Sequence, residues 1–288
     1  MSVLLEVVAV SKRFGGVSAL EAVSLQVNRG EIYGLIGPNG AGKTTLFNCM
    51  TGLYELTSGT MTFDGQPLHG RKAHAITRLG FARTFQNIRL FANMSVLENV
   101  MVGRHARTHA GVIGAVLRCA RTRTEEAAIR ARAHELLAYV GLGNKARGLA
   151  GHLAYGEQRR LEIARALATD PALLALDEPV AGMNPSERQQ MAELFRKLRA
   201  DGLTLMLIEH DVKLVMGLCD RVAVLDYGRK IAEGVAASVQ CDPAVIAAYL
   251  GGGGARACSA YRGSRLRMAA SRLSAAWIYT SRKANWFA

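Results

Sequence analysis

The chain has 288 residues, half of them apolar, a formal net charge of +13 and five cysteines. No uninterrupted apolar run approaches the roughly 18–20 residues that cross a bilayer, and the scattered cysteines have neither metal-ligand spacing nor the pattern of a disulfide framework. A helical membrane protein, a cysteine-ligated metal domain and a disulfide scaffold are excluded on these grounds, and Cys49 and Cys219 read as core residues. The positive charge suggests nucleic acid or an anionic surface, but residues 252–288 hold seven basic side chains and no acidic one. The remaining body is only mildly basic, and nucleic acid is not an expected partner.

Residues 3–10, 22–27 and 60–63 alternate and turn like an antiparallel sheet, the last closed by Asp64-Gly65. The first of them is broken by Glu6 and has no basic flank, so it is not a signal peptide, and the expectation is a protein that stays inside the cell. Interleaved with these are short, almost wholly apolar runs at 32–36, 80–85, 172–176, 204–208 and 222–225. Separated by helical stretches, they predict a parallel sheet covered on both faces, an α/β core. Between Phe91 and Gly151 the text changes to Ala, Arg, Glu and Leu at helical spacing, as over 125–140, which predicts an inserted helical subdomain at about 92–152. The Arg- and His-rich stretch 104–123 fits a basic helix or a loop. Asp242-Pro243 opens a last short helix, ended by Gly251. The four glycines 251–254 then part a folded body, 1–251, from a basic tail, 252–288, expected to be disordered. That tail carries both tryptophans, and the alternative is a segment touching anionic lipid. Truncation after Gly251 is expected to leave the activity of the folded body unchanged; loss of that activity would overturn dispensability, and loss of salt-sensitive liposome binding alone would favour the lipid contact.

The chemistry is concentrated behind the run at 32–36. Residues 37–45 read Gly-Pro-Asn-Gly-Ala-Gly-Lys-Thr-Thr, the phosphate-loop pattern with its lysine and its hydroxyl in place. Gly37, Pro38, Asn39, Gly40, Ala41 and Gly42 supply a loop whose backbone N–H groups converge on phosphates, and the helix from Leu46 aims its positive end at them. Lys43 would bridge the β- and γ-phosphates, the Thr44 hydroxyl would ligand Mg²⁺, and Thr45 completes the turn. Strand, loop and helix follow in the order this chemistry needs, so ATP is the expected ligand and Mg²⁺ its companion.

Two later segments narrow the reading. Residues 153–168 run Leu-Ala-Tyr-Gly-Glu-Gln-Arg-Arg-Leu-Glu-Ile-Ala-Arg-Ala-Leu-Ala, and 173–179 run Leu-Leu-Ala-Leu-Asp-Glu-Pro. The first resembles the signature motif of ATP-binding-cassette ATPases and the second their acidic magnesium strand. The resemblance covers residues 3 to about 251. It is closest to the ATPase subunits of bacterial branched-chain amino acid importers, through Arg83-Thr84-Phe85-Gln86-Asn87-Ile88-Arg89-Leu90-Phe91, Ala181-Gly182-Met183-Asn184-Pro185 and Ile208-Glu209-His210-Asp211. It implies a P-loop, RecA-like parallel sheet with an N-terminal antiparallel β subdomain and an inserted α-helical subdomain.

The resemblance also implies roles. Asp177 would hold Mg²⁺ directly or through water, and Glu178 would deprotonate the attacking water. Gln86 would reach the metal or that water, and His210 would donate to the γ-phosphate. Phe14 would stack on adenine, tolerant of the base. Ala154, Tyr155, Gly156 and Glu157 would cap the nucleotide of a second copy, so that ATP is sandwiched in a dimer. Each has a plainer alternative: a solvated turn for Asp177-Glu178, a structural role for His210, an anchor of the first sheet for Phe14. Two positions depart from the broader family: Ala154 stands where many cassettes have serine, and Asn184 where many have aspartate. Asn184 also suits a helix cap ahead of Pro185.

The resemblance thus implies a dimeric, magnesium-dependent ATPase, peripheral on the cytoplasmic face of the inner membrane and docked beneath separate permease subunits. Residues 87–91 would offer a permease helix a partly apolar strip, unless they are core. Branched-chain or related hydrophobic amino acids are the implied cargo. The alternatives are an exporter ATPase for lipid or polysaccharide and a soluble cassette acting on ribosomes or DNA. A single cassette, and an insert without sustained heptads, speak against the soluble kinds.

Overall fold

Strand β3 (Ile32–Ile36), β7 (Leu173–Asp177) and β8 (Thr204–Ile208) are buried at every position, as continuous apolar runs require when both faces of a sheet are covered. The computed structural model describes residues 2–104 and 120–250, and in it these strands form the centre of a six-stranded sheet. With β6 (Phe81–Arg83), β9 (Arg221–Asp226) and β10 (Arg229–Val235) the order is β10-β9-β3-β8-β7-β6, parallel except for β10. Side chains alternate between two cores. Ile32, Ile36, Leu174 and Leu176 enter the one shared with the helical insert, while Tyr33, Leu35, Leu173 and Ala175 enter the other.

That second core is closed by a four-stranded antiparallel sheet in the order β2-β1-β4-β5, built from β1 (Val3–Phe14), β2 (Val17–Asn28), β4 (Ser58–Phe63) and β5 (Gln66–Pro67). The expected first two strands are thus each longer than their apolar stretches. Register shifts along β1 let the pair continue through polar residues up to the tight turn at Gly15-Gly16. Strand β10 was not foreseen. Its residues are mostly half-exposed and mixed in character, Ile231 and Ala232 standing between charged side chains, so it lacks a continuous apolar signature. The turn before it, Tyr227-Gly228, has φ of 44° and 77°, the left-handed pair that a two-residue hairpin needs.

Helix α1 (Lys43–Met50) follows the phosphate loop, and α2 (Ala73–Arg78) leads into β6. The insert contains α3 (Val96–Arg104) and α4 (Ala120–Tyr139), which pack together, with α3 also lying on α5 (Tyr155–Leu167), the signature helix. A capping box starts α3: Ser95 Oγ accepts from Glu98 N while Glu98 accepts from Ser95 N at 2.8 Å. Most of the stretch expected to be either a basic helix or a loop, from 105 to 119, lies outside the described residues, as does the tail. Helices α6 (Pro185–Ala200), α7 (Val212–Leu218), α8 (Ala236–Gln240) and α9 (Pro243–Leu250) complete the fold. Among the described residues no helix is long and apolar enough to cross a membrane.

Candidate nucleotide site

The sheet order explains why distant motifs meet. Asp177 pairs with Ile208 across β7 and β8, and Leu35 pairs with Ile208 across β3 and β8. The segments leaving the carboxyl ends of β6, β7, β8 and β3 therefore sit side by side, and they carry Gln86, Asp177-Glu178, His210 and the loop from Gly37. Open α/β sheets bind ligands at that end.

The loop from β3 to α1 can be made only by this glycine pattern. Gly37 has φ 155°, and a Cβ there would lie 2.2 Å from the Leu225 carbonyl oxygen. Gly42 has φ 98°, and its Cβ would lie 2.8 Å from the Ala19 carbonyl oxygen. Gly40 is left-handed at φ 80°. Pro38 accepts from Ala41 N at 3.2 Å, and Gly228 N donates to Ala41 O at 3.0 Å, which ties the loop to the β9–β10 turn. Asn39 on the loop and Thr44 in the first turn of α1 are exposed, and Thr45 is half-buried. No side chain caps α1, so its first-turn N–H groups remain available to an anion. Lys43 is buried, its Nζ donating to Gly37 O at 2.7 Å and to Pro38 O at 3.0 Å. Burial pulls its pKa down, opposed by Glu178 and Asp177 nearby. A cationic, glycine-built cradle at a helix N-terminus fits a phosphate chain.

Asp177, 4 % exposed, closes β7. Burial pushes its carboxyl up to about 6, the nearby Arg83 working against that and Glu178 with it. Glu178 follows at φ 47°, a left-handed backbone that costs a non-glycine residue roughly 1–2 kcal/mol. It is held there by its N–H bond to Ile208 O at 2.9 Å, and the reversal turns its side chain toward Gln86 and His210. Gln86 Nε2 donates to Glu178 Oε2 at 3.0 Å, and His210 Nδ1 lies 3.5 Å from Glu178 Oε1. A carboxylate between an amide donor and an imidazole is an arrangement able to hold a water and accept its proton.

Phe14 is 44 % exposed, edge-on to Tyr54 with centroids 5.3 Å apart, and Lys12 Nζ stands 4.9 Å from its ring centroid. Such exposure disfavours the reading as a buried anchor of the first sheet. Asn184 does cap α6, Oδ1 accepting from Glu187 N at 2.9 Å while Glu187 accepts from Asn184 N at 3.0 Å. At the signature segment Ala154 starts α5 without a side-chain acceptor of its own. Glu157 accepts from Ala154 N at 3.3 Å and from Lys145 Nζ at 2.6 Å, and the lysine's hydrogen bond lowers its pKa. Gly156 is pressed close: a Cβ there would lie 3.0 Å from Glu187 Oε1.

Sequence reasoning missed the burial of three charged residues beside the site, Arg159, Glu162 and Glu209. Arg159 and Glu162, 3 % and 2 % exposed, form an ion pair at 3.2 Å inside α5. Arg159 donates to Phe85 O at 2.8 Å, to Gln86 O and to the Tyr155 hydroxyl, while Glu162 accepts from Phe85 N at 3.3 Å. This grip draws the chain off the sheet, which is why β6 ends at Arg83 rather than continuing to Phe85. Glu209, wholly buried, accepts from Val180 N at 3.3 Å, and burial raises its pKa. The available signal was a charged residue amid a buried apolar face, Leu161-Glu162-Ile163 and Leu207-Ile208-Glu209.

The comparisons with known proteins agree with this geometry. The family model described as ABC transporter matches residues 20–181, and one described as branched-chain amino acid ATP-binding cassette transporter matches 229–255. The high-affinity branched-chain amino acid transport ATP-binding protein LivG of Salmonella typhimurium is 46 % identical over 249 residues, 86 % of this chain and 98 % of that protein. BraF of Pseudomonas aeruginosa, described in the same terms, is 44 % identical over 250 residues, again 86 % and 98 % of the two chains. The ADP conformation of MJ1267, a cassette of an ABC transporter, superimposes with a TM-score of 0.77 at 31 % identity, covering 87 % of this chain and all of that one. With its phosphate loop, acidic strand and signature helix assembled as described, the chain belongs to the ABC transporter family and is one of its ATP-binding, ATP-hydrolysing cassettes.

Proposed function

We propose that the chain energises an importer of branched-chain amino acids, as a cassette dimer seated on separate permease subunits at the cytoplasmic face of the membrane. The observation carrying this reading is the near full-length likeness to LivG and BraF, joined to the match of the C-terminal region 229–255. The Nod factor export ATP-binding protein I of Burkholderia lata is also similar, at 38 %, but over 73 % of its length. That weighs against the exporter reading.

In this mechanism the loop Gly37–Thr45 and Lys43 bind the phosphates, and Phe14 lies under the base. Thr44 and Asp177, with Gln86, would hold Mg²⁺, which when bound would offset phosphate charge. With one carboxylate, one hydroxyl and one amide, the chain would supply only part of the ion's oxygen shell, as is usual for Mg²⁺. Glu178 takes the proton of the attacking water, oriented by Gln86, and His210 donates to the γ-phosphate. Ala154–Glu157 of one copy close over the nucleotide of the other; support for a dimer comes from the dimeric cassette MJ0796 bound to ADP and Pi, which is similar in fold (TM-score 0.68, 25 % identity, 81 % of this chain and 99 % of that one). Ala154 gives up a hydroxyl contact of about 0.5–1.5 kcal/mol there and leaves the backbone donors.

Deleting the coding sequence is expected to abolish uptake of radiolabelled leucine, isoleucine and valine, and restoring the wild-type chain to recover it. Gly156→Asp is expected to bind ATP yet fail to restore uptake, since it sets a carboxylate against both the γ-phosphate and Glu187. Normal uptake in the deletion strain would refute the cargo, and recovery by Gly156→Asp would refute the sandwich.

A further inference from the structure

The signature helix serves the partner's nucleotide, whereas Gln86 serves the one bound in its own chain, and the Arg159–Glu162 pair joins the two. Arg159 reaches both the Phe85 and the Gln86 carbonyl oxygens, and Glu162 takes the Phe85 N–H, all from inside α5. The Tyr155 hydroxyl accepts a further bond from Arg159 at 3.1 Å, and a Cβ at Gly182 would lie 3.4 Å from the Tyr155 ring. The backbone on either side of the Phe85–Gln86 peptide is thus bonded to α5 and not to the sheet, and the loop after Glu178 leans on the same cluster.

We infer that Arg159, seated by Glu162, is a positioning residue for ATP hydrolysis: it makes Gln86 move with the signature helix, so that capture of the partner's nucleotide sets the geometry around Glu178 in its own chain. Each composite site would then be armed by the other. The inference rests on the sandwich dimer proposed above.

Arg159→Lys is the first test. Lysine keeps a positive charge opposite Glu162 but lacks the fork that spans two carbonyls. With the full-length protein, the expected result is a fall in kcat of roughly ten- to hundredfold, an ATP dissociation constant within about twofold, and a Hill coefficient for hydrolysis falling toward one. A purely structural residue would lower the melting temperature and leave kcat per folded molecule and the Hill coefficient alone. On a Gln86→Ala background, Arg159→Lys is expected to add less than about twofold, because residues acting through one group are not additive. The paired change Arg159→Met with Glu162→Met removes both charges together, so neither is left buried alone, and is expected to give the same signature. An unchanged kcat and Hill coefficient in a folded variant, or a full further loss on the Gln86→Ala background, would overturn the inference. Failure of the sandwich itself is read separately, by whether the otherwise wild-type Glu178→Gln protein forms a dimer with ATP.

Discussion

Glu178→Gln is expected to lower ATP turnover by roughly 10²–10⁴-fold, the usual worth of a positioned general base, while ATP still binds. The side chain lies between Gln86 Nε2, at 3.0 Å from Oε2, and His210 Nδ1, at 3.5 Å from Oε1. Glutamine keeps the shape and an oxygen for the Gln86 amide but cannot take a proton from water. The φ of 47° at this position is already accommodated by the Ile208 bond, so the substitution adds no backbone strain. ATP should then hold two copies together without being consumed. Size-exclusion chromatography with and without ATP reads the dimer and phosphate release reads the turnover; hydrolysis near the wild-type rate would remove Glu178 from the role of base.

Lys43→Ala is expected to act one step earlier, on affinity. The ammonium sits at the centre of the glycine cradle, buried, with Gly37 O and Pro38 O as its partners. A charged hydrogen bond contributes about 1.5–3 kcal/mol, so its loss should weaken ATP binding by roughly ten- to hundredfold. Loss of the cation also removes one of the opposite charges near Asp177 and Glu178, which adds repulsion toward the phosphates. Titration calorimetry on the folded variant tests this, and unchanged affinity would reject the loop as the phosphate site. The two variants separate cleanly: one binds and does not turn over, the other scarcely binds.

The sequence by itself determined the parts whose chemistry is local. A loop needing left-handed glycines at 37, 40 and 42 has few other spellings, so Gly37–Thr45 was legible without coordinates. Runs such as 172–176 and 204–208 announced central strands, found at Leu173–Asp177 and Thr204–Ile208, because both of their faces are covered. The Asn184 cap was legible too, since Asn-Pro ahead of a helical stretch satisfies orphan N–H groups within a few residues. Only the tertiary structure decided what depends on distant partners. Strand order brought Gln86 and His210 to within 3.5 Å of Glu178, although the three are far apart along the chain. Strand β10 exists because β9 offers it an edge and the Tyr227-Gly228 turn its reversal, not because its own residues are apolar. Glu162, set between Leu161 and Ile163, hints at burial in the sequence, but nothing local tells what it or Arg159 binds. Buried charges are tolerated where each finds a partner and enough hydrogen bonds. Theirs come from Phe85 and Gln86, some seventy residues away, a proximity no local pattern encodes.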